Sequence, residues 1–179
     1  MEICDIIKKE YIKRGEFGLF KIGDKVFYPM YGAGTICGIE ERRILGEKKT
    51  YFSMKMPLDE LVAMIPIETC ETIGVRYIIS AKEAAKALAA FKSQEVKEDE
   101  NWNKRHRENM EKLRTGDIYQ LVGVVKSLMI RDKKKGLSTS ERKMLGVAKQ
   151  MFISEIVLTG SASRNDVESI LNDTVAETV

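Results

Sequence analysis

The sequence predicts an α+β protein, a small N-terminal β-barrel followed by an all-α helical bundle. Residues 20–67 hold short runs rich in Val, Ile, Tyr and Phe, divided by turn residues. From Ser80 onward the apolar repeat becomes helical. Helix-start signals then fall at Ser80, Asn101, Ser138 and Ser163.

The strand runs are "DKVFYPM" (24–30), "GTICGIEERRI" (34–44), "KTYFSMKM" (49–56) and "LVAMIPI" (61–67). "YGAG" at 31–34, "LGEK" at 45–48 and "PLDE" at 57–60 read as the turns between them. Apolar alternation is imperfect, as in Ile36 and Ile39, which suits a small curved barrel of SH3 or Tudor type better than a flat sheet. Such a barrel leaves short edges that can pair with a strand of another protein.

Ser80 and Glu83 form an S-x-x-E capping box ahead of "AAKALAAFK". A polar linker, "SQEVKEDE" (93–100), follows. Asn101 caps a helix through Leu113 that Gly116 stops. The next helix spans 117–135, with a stripe of Ile118, Leu121, Val124, Val125 and Leu128 that Gly136 ends. Ser138 and Glu141 open a helix through Leu158, and Ser163 with Asp166 opens the last. Short connections imply a compact antiparallel bundle. The expected divisions are an extension at 1–19, a barrel domain at 20–79 and a helical domain at 80–179. The extension fits neither half and reads as flexible, helical or non-native. "RGE" at 14–16 is what a ribosome-binding site would encode, with Leu19 as a start just downstream.

Composition narrows the class. Of 179 residues, 44% are apolar and 32% charged, as in a soluble folded chain. No run approaches the roughly 20 apolar residues of a membrane span, and the N-terminus lacks a signal-peptide pattern. Cys4, Cys37 and Cys70 form no CxxC pair, and with one His a zinc site is not expected. A cytoplasmic protein with free thiols, no membrane partner and no metal is expected. Charge is unevenly spread. Residues 102–149 hold thirteen Lys/Arg against five Asp/Glu, whereas residues 20–79 balance eight against eight. That excess favours a polyanionic partner.

No reaction site is legible. His106 stands between Arg105 and Arg107, a poor setting for a general base, and reads as a helix-face residue. "GAG" at 32–34 lacks the context of a phosphate loop. Neither an enzyme, a small-molecule substrate nor a cofactor is expected.

The lone Trp102 stands with His106, Met110 and Leu113 on one helical stripe, which makes it the top of a buried face. Its neighbours Lys104, Arg105, Arg107 and Lys112 are equally suited to a duplex backbone, beside which a flat ring can wedge into a base step from the minor groove. A second basic cluster, "RDKKKGLSTSERK" (131–143), lies at a helix–helix turn. Its lysines favour the negative end of a helix dipole, and the next helix's free N–H groups suit a phosphate.

"FKIGDKVFYPMYGAGTICGIEERRILGEKKTYF" (20–52), "NWNKRHRENMEKLRTGD" (101–117) and "RDKKKGLSTSERKMLGVAKQM" (131–151) together resemble the CarD/CdnL family of bacterial transcription factors. The resemblance runs from Phe20 to about Leu171. It implies a Tudor-like domain that binds the β subunit of RNA polymerase, partly by strand addition, and a helical domain that contacts promoter DNA at the upstream edge of the transcription bubble. The family's wedging tryptophan matches Trp102. Its DNA-facing cations match Lys104, Arg105, Arg107 and the neighbourhood of Lys143. A polymerase-contacting arginine matches Arg42, while a second one falls at Met64, so that contact is altered or absent here. The implied function is stabilisation of the open promoter complex, in the cytoplasm and on the nucleoid through polymerase. Alternatives are a general nucleic-acid-binding module and a polymerase-docking scaffold without a DNA wedge.

Overall fold

A computed structural model describes residues 20–44, 46–58, 61–96 and 101–179. The expectations for residues 1–19 and for the acidic end of the linker lie outside the described residues. Strands β1 (Lys25–Tyr28), β2 (Gly32–Ile44), β3 (Glu47–Lys55), β4 (Val62–Pro66) and β5 (Arg76–Tyr77) form one antiparallel sheet, ordered β4-β3-β2-β1-β5. A 3-10 turn at Ile67–Thr69 runs into the single-turn helix α1 (Cys70–Ile73), which Gly74 closes at φ 86°. Phe20, Val26, Ile36, Phe52, Met54, Ile65 and Val75 fill the interior of this Tudor-like domain.

The uneven alternation in β2 has a local cause. Ile36 pairs with Met54 and Gly38 with Ser53, so Cys37 is an extra residue in a bulge. The bulge puts Ile36 and Ile39 on the same inward face although they are three apart. The glycines at 32 and 34 are not the turn that the sequence suggests. The chain reverses before them, with Met30 at φ 70° and Tyr31 N–H donating to Tyr28 O at 3.0 Å, and β2 begins at Gly32. Gly32 is a glycine because a helix lies on it: a Cβ there would come within 2.6 Å of Ser154 Oγ.

The helices are α2 (Ala81–Ser93), α3 (Trp102–Thr115), α4 (Ile118–Lys135), α5 (Thr139–Leu158) and α6 (Arg164–Thr178). Each predicted cap forms. Ser80, Ser138 and Ser163 make full capping boxes with Glu83, Glu141 and Asp166. Asn101 accepts from Lys104 N–H, and Asp117, which the sequence places inside the next helix, caps it instead by accepting from Tyr119 and Gln120 N–H. At the far end of α2, Lys126 is 3% exposed and donates to Lys92 O at 3.0 Å and Gln94 O at 2.7 Å. Burial pushes its ammonium pKa down.

Barrel and bundle share a core. Phe27 of β1 and Ala33 of β2 belong to the cluster that holds Phe91, Leu113, Leu121 and Phe152. Ala33 N–H donates to Ser154 Oγ at 2.8 Å. Arg76 of β5 lays its guanidinium over Phe27, 4.3 Å from the ring centre, and forks onto the fully buried Glu155 of α5 at 2.5 and 3.0 Å. Ile79 N–H completes that carboxylate at 3.0 Å, and Arg76 also reaches Gly116 O at 2.6 Å.

Candidate nucleic-acid interface

Trp102 is the first residue of α3, and its position follows from the cap before it. Asn101 starts the helix, so the indole projects from the end of α3 without a preceding turn to cover it. It is 43% exposed. The inward face of α3 is instead Arg105, Asn109 and Leu113, four residues apart, with Met110 partly packed beside them. The buried-face reading of Trp102 is therefore wrong by part of a turn: two of the three inward positions are polar and invisible to an apolar pattern.

Arg105 is the main correction among the expected DNA-facing cations. It is 7% exposed and donates to Glu141 Oε1 of α5 from Nε at 2.9 Å and Nη2 at 2.6 Å. Arg131 of α4 approaches the same oxygen at 3.8 Å. Burial raises the Glu141 carboxyl, but hydrogen bonds from Arg105 and Ser138 outweigh it and hold the group below its ordinary range. Glu141 thus joins three helices beneath the surface, and Arg105, buried against it, is not among the outward cations.

The other expected cations are outside. Lys104, Arg107 and Lys143 are exposed, Lys104 lying 3.9 Å from Glu108 along its own helix. The helix starts of α3 and α5 stand side by side. Trp102 Nε1 donates to Ser138 Oγ at 3.3 Å, and His106 Nε2 lies 2.9 Å from Ser140 Oγ. The indole rests on the His106 ring, centroids 5.2 Å apart and tilted 31°. The two basic segments of the sequence, around 104–107 and 131–143, therefore meet at one end of the bundle, with the indole between them. Ser138, Ser140 and Glu141 were not marked as site residues by the sequence, although the capping box that carries two of them was visible.

At the other end of the chain, Arg42 projects from β2 near the tip of the β2–β3 hairpin, where it pairs with Lys49 of β3 in register. Its guanidinium lies 2.9 Å from Glu40. Hydrogen bonds from Ser53 and then Arg42 hold the Glu40 carboxyl below its usual value. Ser53 Oγ, 2.7 Å from Glu40, is also 3.6 Å from Met64 Sδ on β4. Arg42 and Met64 are thereby linked across the sheet face away from the barrel core, but Met64 is half-buried and carries no charge. β4 is one edge of the sheet, with Leu61 and Val62 exposed at its start. Among the described residues no group of His, Cys, Asp and Glu is placed to hold a metal ion, and no helix is long and apolar enough to cross a membrane.

Comparison with known proteins covers both halves. Residues 20–79 match the family model of the CarD-like/TRCF RID domain, and residues 86–172 match that of the CarD C-terminal domain. A relative, the "putative transcription factor YdeB" of Bacillus subtilis (strain 168), is 32% identical over 151 residues, 84% of this chain and 99% of that protein. With both domain types in that order and a relative matched over its length, the chain belongs to the CarD family of transcription factors.

Proposed function

We propose that this protein docks on the β subunit of bacterial RNA polymerase through the outer strands of its Tudor-like domain and stabilises the open promoter complex by contacting DNA at the upstream edge of the bubble. The observation that carries the DNA half is Trp102. A single indole, 43% exposed, starts the helix that carries the exposed Lys104 and Arg107 and touches the start of α5, which carries the exposed Lys143. Large aromatic rings are mostly buried in folded chains, so an exposed one at a cation-rich end of the bundle fits a partner that is both flat and anionic. The family membership and the presence of β4 as an edge strand in the sheet that carries Arg42 support the polymerase half.

The mechanism needs no catalysis. Docking raises the local concentration of the helical domain beside the promoter. Lys104, Arg107 and Lys143 then meet phosphates, and Trp102 occupies the distorted base step. A ligand shifts the closed–open balance only by its preference for the open state, and about 1.4 kcal/mol of preference is tenfold in population. Stacking of one base on an aromatic ring is worth about 1–3 kcal/mol, which is enough.

The test is a promoter-opening assay with holopolymerase. Trp102→Ala shortens the open-complex lifetime about tenfold while polymerase pull-down persists, and Arg42→Glu abolishes the pull-down. An unchanged lifetime for Trp102→Ala removes the wedge. If combined neutralisation of Lys104, Arg107 and Lys143 also has no effect, the protein is a docking scaffold.

A further inference from the structure

We propose that Ser138 and Ser140 are positioning residues that fasten Trp102 and His106 as a rigid ring pair for contact with the duplex. The inference rests on the DNA-contact reading above. An indole at the first position of a helix is free to swing unless something holds it. Here two hydroxyls at the start of α5 hold both rings: Ser138 Oγ receives Trp102 Nε1–H at 3.3 Å, and Ser140 Oγ lies 2.9 Å from His106 Nε2.

The hydroxyl of Ser138 is fully used. Its one O–H donates to Glu141 Oε2 at 2.8 Å, and its two lone pairs face Glu141 N–H and Trp102 Nε1–H, both at 3.3 Å. Glu141 is in turn fixed by Arg105, which sits one turn after Trp102 on α3. The chain of contacts closes on itself, from Trp102 through Ser138, Glu141 and Arg105 back to the same helix. The buried arginine therefore serves the indole from beneath.

A chemical consequence follows for recognition. The indole has one donor and no acceptor, and that donor is used inside the protein. What remains for DNA is an apolar face, which stacks on any base and reads no base edge. The contact is sequence-tolerant by construction.

Trp102 is the only tryptophan of the chain, so tryptophan fluorescence reports on it alone. In the full-length protein, Ser138→Ala increases acrylamide quenching and speeds anisotropy decay, and Ser138→Thr, which keeps the hydroxyl, restores both. With holopolymerase, Ser138→Ala shortens the open-complex lifetime about fivefold, the size set by one net hydrogen bond. Trp102→Phe keeps a ring, drops the N–H and leaves the α5 cap intact, so it gives a similar loss without risk to folding. The double variant loses no more than either single one. Losses that multiply in the double variant overturn the proposal, as does a Ser138→Ala protein with unchanged quenching. A lifetime shortened by Trp102→Ala but untouched by Ser138→Ala overturns the positioning role alone. A lifetime unaffected by Trp102→Ala overturns the DNA reading and this role with it, even where fluorescence finds the indole fastened.

Discussion

Arg105 and Arg107 look alike in the sequence, two cations either side of a histidine, yet one is inside and the other outside. What separates them is Glu141, a partner 36 positions away that local periodicity cannot assign. Removing one member of a buried ion pair leaves an uncompensated charge and costs about 3–5 kcal/mol. Glu141→Gln keeps the α5 capping box, since Gln also serves at that position, and isolates the charge. It lowers stability at neutral pH by about that amount, read by urea unfolding. Its pH dependence has a definite sign. The folded-state carboxyl lies below its ordinary 4.5, so its contribution is present above that value and fades as pH falls through the folded value. The melting temperature of Glu141→Gln therefore changes less between neutral and acid pH than that of the unmodified chain.

Helix boundaries were legible because capping is local chemistry: Ser80, Asn101, Ser138 and Ser163 cap helices as their spacing implies. The strand that begins at Gly32 was not, because glycine signals a turn by default and here it marks a close approach between elements. Gly32 has φ 108° and no room for a Cβ against Ser154 and Met151 of α5. Gly32→Ala loses at least about 2 kcal/mol from overpacking and backbone strain. Gly146, in the middle of α5, has nothing within 4 Å of its absent Cβ. Gly146→Ala instead gains about 1 kcal/mol from helix propensity. Thermal or urea unfolding of the two variants gives opposite shifts, and equal shifts contradict this account of the β2–α5 contact.

A barrel and a bundle could be read separately from two hydrophobic periods, but not their union. The signals were single charges in unlikely places: Glu155 within the apolar run "MFISEIVL" and Arg76 in "GVRYII". Their partnership spans 79 positions. Glu155→Gln weakens the fork between β5 and α5 by about 3 kcal/mol, and hydrogen exchange quickens at β1, β5 and the facing turn of α5. The exposed pair Arg164–Glu168, 2.9 Å apart on α6, is the control, worth at most about 0.5 kcal/mol. Similar losses for the two pairs refute the clasp. Because Phe27 of the barrel is a core residue of the bundle, the span from the β4 edge to the indole is a set length, as in a gauge. Each base pair advances a duplex by about 3.4 Å. On the proposed reading, a promoter that begins to melt one base pair further upstream brings a different step to the indole, and the protein does not flex to follow it. Response then depends on where a promoter melts, and little on which bases stand there.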